Sequence, residues 1–255
     1  GTRIEIEFKS SLTARKRLIE YLRYTSVVNP HARLRVEIDG EAILFDRASD
    51  EPIIPPQAIL PHPHGVELGE LKRIAAGSKE PLEPFLINSF SRVGQKTAHE
   101  IIQLAGLKET TKANKLDADG LARLQSAMQQ AKVPPPPANQ CLSPIGEVLI
   151  RQGLEKEFQF DFCSARTRPA SVYHGHPFIV EAALGYGGKL DAEGNARIMR
   201  FANRVPLMYQ QGACAITGCI GAVNWRTYNI SQSGLPTGPV LILVHVASTN
   251  VPFTS

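Results

Sequence analysis

The stretch Val240-Leu241-Ile242-Leu243-Val244-His245-Val246 is a run of branched apolar residues interrupted only by one histidine. A short run of this kind is typical of a strand that is buried on both faces of a sheet. Upstream, residues 211–223 are rich in small side chains and predict a helix packed closely on that sheet, and residues 197–205 predict a strand. This order of elements predicts a right-handed crossover between two parallel strands.

The sequence before this crossover predicts further strands and one helix. Residues 178–186 are strand-like, and three phenylalanines alternate between residues 158 and 162 as in a strand. Ser143 followed by Pro144 predicts the start of a helix, since serine is a good N-cap and proline is favoured in a first turn. We therefore predict an α/β domain over residues 137–255.

Two proline-rich stretches, residues 52–63 and 134–137, divide the rest of the chain, because proline neither continues a helix nor lies inside a sheet. The first piece, residues 1–66, predicts an incomplete α/β layer. In order, it contains a strand at residues 4–8, a helix from Leu12 to the stop at Asn29-Pro30, and a hairpin that turns at Asp39-Gly40.

Residues 67–136 predict a small helical domain. Apolar residues recur at helical spacing in three stripes, of which the first ends at Gly77 and the second at Gly106. The third stripe contains Leu121, Leu124 and Met128.

Composition excludes several classes of protein. The 255 residues contain 28 basic and 24 acidic side chains, which argues against a strongly basic surface that grips nucleic acid non-specifically. The four cysteines form no CxxC pair, which argues against a disulfide scaffold or zinc ribbon. No apolar run is long enough to span a bilayer. We expect a protein of the cytoplasm or, in a eukaryote, of the nucleus.

A self-contained active site is not evident. The sequence from Gly185 to Lys189 resembles a phosphate loop, but its glycine spacing is wrong and a hairpin turn is the better interpretation. The pairs His62 with His64 and His174 with His176 lack a neighbouring acidic or cysteine partner, so we predict no metal site. There is no GxSxG nucleophile elbow.

The most suggestive local chemistry lies in residues 90–98, where a glycine-containing turn leads directly into a helix. Arg92, Gly94 and Lys96 could together dock a backbone phosphate, because free amides at a helix N-terminus carry partial positive charge. Such contact would be independent of DNA sequence. The alternative is an ordinary turn between helices that carries solvated charges.

Several strings resemble those of the B subunits of topoisomerase VI, a type IIB DNA topoisomerase, and the resemblance runs over the whole chain. The strings are residues 61–68, residues 90–94 with 96–98, residues 141–147, residues 201–207 with 209–216, and residues 245–253.

The resemblance implies an α+β multi-domain chain. Residues 1–66 would be the end of a GHKL ATPase α/β sandwich, residues 67–136 a helix-two-turns-helix domain and residues 137–255 a transducer domain. Thr2 would line the nucleotide pocket, and the cofactors of the full-length protein would be ATP and magnesium. The partners would be the topoisomerase VI A subunit, a second B subunit and duplex DNA.

The resemblance also implies an activity, namely ATP-driven passage of one DNA duplex through a break in another. The family's other nucleotide ligands would lie before Gly1 and just after Ser255, so we expect these 255 residues alone to contain no catalytic residue and to be inactive. The alternative is a non-enzymatic protein that binds duplex nucleic acid through its helical domain.

Overall fold

A computed structural model describes residues 12–38 and 40–251. Its contacts divide the chain into two compact units. The sheet unit contains the described residues up to Ile54 together with Pro144–Arg168 and Val180–Ala247, and the helical unit contains Pro55–Ser143, Pro169–Ile179 and the described residues from Ser248. The predicted strand at residues 4–8, Thr2 and the turn residue Asp39 lie outside the described residues.

A mixed sheet forms the centre of the sheet unit, in the strand order β3-β5-β10-β6-β7. The strands are β3 (Phe162–Thr167), β5 (His176–Tyr186), β6 (Arg197–Ala202), β7 (Val205–Pro206) and β10 (Val240–Ser248). β10 pairs in parallel with β6, with Leu241 opposite Arg197. Between them in the chain lie α8 (Ala215–Ala222) and the short pair β8 (Gln232–Ser233) and β9 (Leu235–Pro236). The predicted strand-helix-strand crossover is confirmed, and its handedness stays a prediction.

Helices cover both faces of this sheet. Leu241 and Leu243 of β10 point to one face and pack with residues of α1 (Leu12–Val28) and α7 (Glu147–Glu157). Val240 and Ile242 point to the other face and pack with Ile220 of α8. Because alternate residues of a strand point to opposite faces, the consecutive apolar residues Val240 to Val244 suit a strand that is covered on both sides.

The N-terminal elements follow the sequence pattern. The helix α1 ends at Val28, just before Asn29-Pro30. The strands β1 (Leu34–Ile38) and β2 (Glu41–Phe45) form an antiparallel hairpin in which Ile38 lies opposite Glu41. The predicted helix and the predicted hairpin are both present.

Four consecutive helices form most of the helical unit. They are α2 (Leu68–Ala76), α3 (Leu82–Ser89), α4 (Gln95–Ala105) and α5 (Ala118–Gln130), followed by the short α6 (Ala138–Cys141). Their shared core includes Leu71, Phe85, Ile101 and Met128. The predicted ends at Gly77 and Gly106 are confirmed, and Gly106 is a left-handed C-cap with a φ of 62°. The helix α3 was missing from the three predicted stripes. In this unit β4 (Ser171–Tyr173) pairs with the start of β5.

Two predictions near the start of the α/β region were wrong. The helix α7 begins at Glu147 and not at the Ser143-Pro144 pair, because the amides of Ile145 and Gly146 are bound by the carboxylate of Glu181. The phenylalanine alternation is also not a strand throughout, since α7 runs to Glu157 and β3 begins only at Phe162.

Three further predictions need correction. The predicted strand at residues 197–205 is broken by a tight turn at Asn203-Arg204, both with positive φ. The predicted helix at residues 211–223 is a 3-10 turn at Gln211–Ala213 and then α8, separated by the extended backbone of Cys214. The residues after Tyr186 form a turn but not a hairpin, because β5 and β6 are separated by β10.

The chain is thus a mixed α/β protein with eight helices and a mixed sheet among the described residues. No helix in residues 12–38 or 40–251 is both long and apolar enough to cross a membrane.

Candidate functional site

The predicted phosphate-docking turn lies between α3 and α4. Arg92 adopts left-handed backbone geometry with a φ of 62°, and Gly94 is the extended N-cap residue of α4. Val93 between them is buried in the helical core, which fixes the turn, and the Ser91 amide donates to the Pro61 carbonyl at 3.0 Å. The helix begins here because Gly94 has the extended backbone of an N-cap residue and Ala98 is the first residue of the buried stripe of α4.

Arg92, Gly94 and Lys96 are all exposed on this turn. Gly94 provides no side-chain cap, and the first turn of α4 contains no acidic residue, so its first amides face solvent with their positive partial charge uncancelled. Within the described part of the chain, neither the Arg92 nor the Lys96 side chain forms a hydrogen bond or ion pair. The structure therefore brings the three predicted residues together on one accessible turn that could accept an anion.

Two other candidates from the sequence, the pair His62 with His64 and the loop at residues 185–189, have structural partners. The His62 ring accepts the His64 amide through Nδ1 at 3.3 Å and contacts the Pro134 carbonyl through Nε2 at 3.0 Å, and burial lowers its pKa. At the loop that resembles a phosphate loop, the Gly188 amide donates to the Asp161 carboxylate at 2.9 Å. The Asp161 carboxylate thus accepts from the amide that a phosphate would need in a true phosphate loop. Among the described residues, no group of three or more His, Cys, Asp or Glu side chains could hold a metal.

A second polar site, which the sequence analysis missed, lies inside the sheet unit around Glu181 of β5. Glu181 and His245 of β10 are both fully buried, and their Oε2 and Nδ1 atoms are 2.8 Å apart. His245 Nε2 accepts the backbone amide of Arg204 at 3.0 Å, so the ring proton lies on Nδ1 and is donated to Glu181.

Glu181 accepts three more hydrogen bonds, from the amides of Ile145 and Gly146 and from the Thr167 hydroxyl, at 2.7–2.8 Å. Burial alone would raise the pKa of Glu181, but the bonds from His245, the two amides and the hydroxyl outweigh it and hold the pKa below its usual value. Glu181 is therefore a buried carboxylate that stays charged and is fully hydrogen-bonded.

Comparison with known proteins shows which family this chain resembles. Residues 137–255 match the family described as Topoisomerase VI B subunit, transducer. All of the chain aligns with the B subunit of the type 2 DNA topoisomerase 6 of Methanococcoides burtonii at 51% identity, covering 42% of that protein. The corresponding Archaeoglobus fulgidus protein is 43% identical over all of this chain and 43% of its own length. The Metallosphaera sedula protein is 34% identical over 96% of this chain and 46% of its own length.

The chain belongs to the topoisomerase VI B subunit family. It spans less than half the length of each of these three relatives. The buried Glu181–His245 pair lies in the stretch that matches the transducer of the family, whereas the Arg92 turn lies before it. Thr2, which the family resemblance assigns to the nucleotide pocket, lies outside the described residues.

The sequence held one signal for the buried pair. His245 is the single polar residue in the apolar run of β10, and a buried polar side chain needs a partner. That partner lies 64 residues away on another strand, so no local pattern could identify it.

Proposed function

We propose that this chain works in the B subunit of an ATP-dependent type II DNA topoisomerase, in which B subunits close on ATP and A subunits cut DNA. The observation that carries the proposal is the similarity of the entire chain to proteins named as the B subunit of type 2 DNA topoisomerase 6, at up to 51% identity among those compared. The parallel β6 and β10 strands with α8 between them support a transducer role for residues 137–255.

The proposed domain organisation assigns residues 1–66 to the end of a GHKL ATPase domain, residues 67–136 to a helix-two-turns-helix domain and residues 137–255 to the transducer. The four helices α2 to α5 support the second assignment. In the whole subunit, ATP with magnesium would supply the binding energy for closing the gate. The part played by these residues would be mechanical, because a sheet with helices packed on both faces moves as a rigid body.

The proposed DNA contact is the turn of Arg92, Gly94 and Lys96. Its exposed cations and free amides could bind a backbone phosphate, and a phosphate contact positions a duplex without reading its sequence. The partners of the whole subunit would be the A subunit, a second B subunit and duplex DNA. We expect the 255-residue polypeptide by itself to be inactive.

The test uses the full-length B subunit that contains this chain, assembled with its A subunit. With magnesium and ATP, the complex should relax supercoiled plasmid by steps of two in linking number, and omission of ATP should abolish relaxation. Plasmid binding without any relaxation would contradict the proposal and favour the non-enzymatic nucleic-acid-binding alternative.

A further inference from the structure

A closed ring of hydrogen bonds surrounds Glu181 in the sheet unit. Glu181 binds the amides of Ile145 and Gly146 and the ring of His245, and His245 binds the amide of Arg204. The ring closes because the Arg204 guanidinium donates through Nη2 to the carbonyl of Pro144 at 3.1 Å, next to the two amides that Glu181 holds. The segment that leads into α7 is thus held from both sides.

The same guanidinium also reaches α1. Arg204 Nη1 donates to the carbonyl of Val28, the last residue of α1, at 3.3 Å. The final carbonyls of a helix have no partner within the helix, so Arg204 satisfies one of them and adds a positive charge at the negative end of the dipole. Arg204 therefore joins three elements, namely the end of α1, the turn between β6 and β7, and the start of α7.

Two features distinguish the Arg204 contacts from hydrogen bonds that only stabilise the fold. First, Asn203 and Arg204 have φ values of 46° and 64°, so the turn that presents the guanidinium uses a backbone region that non-glycine residues rarely adopt. Second, Arg204 Nε is buried and has no hydrogen-bond partner in the described part of the chain. Burial lowers the pKa of Arg204, and the nearby Glu181 carboxylate opposes the shift. The turn that holds the guanidinium has a backbone geometry that is costly for arginine, and one of the guanidinium donors is unpaired, so stability alone does not explain this contact.

We propose that Arg204 is a positioning residue that couples movement of α1 to the transducer sheet through the Glu181–His245 ring. This inference rests on the proposed function, because it concerns how gate closure is converted into DNA passage. Replacing buried ionic groups by apolar residues of similar volume is often neutral or stabilising, so the presence of Arg204 and Glu181 here is consistent with a role in specifying an arrangement.

The decisive variant is Arg204→Gly in the full-length B subunit assembled with its A subunit. Glycine adopts positive φ without strain and keeps the backbone amide that binds His245, so the variant removes the guanidinium and preserves the turn. The matched control is Arg168→Gly, which removes an exposed arginine of the same unit. Arg204→Lys keeps the charge and can reach one carbonyl at a time.

Three quantities are measured: the rate of ATP hydrolysis, the rate of plasmid relaxation, and hydrogen exchange of the last turn of α1. We expect Arg204→Gly to keep ATP hydrolysis within about twofold and to lower relaxation per ATP by roughly tenfold, a typical size for coupling between sites. Exchange at the end of α1 should accelerate, while exchange in β10 stays unchanged. Arg204→Lys should recover part of the coupling, and Arg168→Gly should match the wild type.

An unchanged ratio of relaxation to ATP hydrolysis in Arg204→Gly would overturn the inference. If ATP hydrolysis and plasmid relaxation fall in parallel and exchange in β10 becomes faster, the inference is also overturned. That result would mean that Arg204 only stabilises the fold. If the wild-type complex itself shows no ATP-dependent relaxation, the proposed function fails, and the inference fails with it.

Discussion

Gly153 of α7 lies directly against the backbone of Val27 in α1, so that a methyl group on Gly153 would overlap the Val27 carbonyl oxygen. Val27 is fully buried, and Ile150 and Leu154 of α7 are buried with it in one cluster. The two helices therefore approach backbone to backbone at this point. A glycine in mid-helix costs about 1 kcal/mol relative to alanine in helix propensity, and the close approach explains its presence.

We predict that Gly153→Ala destabilises the sheet unit by about 1–3 kcal/mol, because backbone atoms cannot yield as a flexible side chain would. Chemical denaturation followed by fluorescence of Trp225, the single tryptophan of the sequence, measures the change. The control is Gly218→Ala in α8, where an added methyl group meets nothing within 4 Å. That variant should be unchanged or slightly more stable, and an equal loss in both variants would contradict the prediction.

Glu181 predicts a pH dependence of stability. Its pKa is lowered in the folded protein, so the charged carboxylate stabilises the fold above its usual pKa of 4.5, and this contribution is lost as the pH falls through the lower folded value. Glu181→Gln should cost about 3 kcal/mol at pH 7, because it leaves buried donors without their charged acceptor.

Urea denaturation of wild type and Glu181→Gln between pH 7 and pH 3 checks this dependence. The difference in free energy of unfolding should shrink below pH 4.5. Glu193→Gln, at an exposed position, is the control and should follow the wild type. A difference that stays constant over the whole range would show that the carboxylate charge does not stabilise the fold.

The four cysteines should differ in reactivity. Burial by itself would raise the pKa of Cys214, but hydrogen bonds from Arg200 and from the amides of Thr217 and Ile216 lower it overall. Burial raises the pKa of Cys163 to about 11 and also raises that of Cys141. Because the thiolate is the nucleophile, iodoacetamide should alkylate Cys214 at least about tenfold faster than either Cys141 or Cys163 at pH 7.5.

Peptide mass spectrometry over a time course gives the rate at each cysteine. Arg200→Lys should slow the alkylation of Cys214. The alkylation rate of Cys219, which is exposed on α8, should not change. Alkylation of Cys214 at the rate of Cys163 would show that Arg200 does not activate the thiol.

The Arg92 turn predicts a sequence-independent contact with duplex DNA. Arg92→Ala with Lys96→Ala should remove roughly two phosphate contacts, and the slope of log affinity against log salt should fall by about 2. Fluorescence anisotropy with two unrelated duplexes over a salt series measures both quantities. The loss of affinity should be similar for the two sequences.

The charge-matched control for this pair is Lys72→Ala with Arg73→Ala, two exposed cations of α2. It should leave the salt slope nearly unchanged. Equal effects of the two pairs would mean that net charge alone matters. If neither pair changes DNA binding, the contact must be sought on the basic helix α1, which contains Arg15, Lys16, Arg17 and Arg23.

The sequence by itself determined the elements whose signals are local. Three such signals come from residues that are close in sequence, and the predicted element is present in each case. They are the apolar run of β10, the glycines that end α2 and α4, and the alternation in β1. The turn at Arg92 was predictable for the same reason, since Gly94 and Lys96 are close neighbours in the chain. The similarity to relatives over the whole chain was likewise carried by contiguous strings.

Only the tertiary structure decided what distant residues do to one another. The start of α7 shifted from Ser143 to Glu147 because Glu181, more than thirty residues later, binds the intervening amides. The predicted strand at residues 197–205 is broken where the amide of Arg204 binds His245 of a third strand. Hydrogen bonds between buried groups depend on which strands become neighbours, and strand order is a property of the whole fold that local periodicity does not contain.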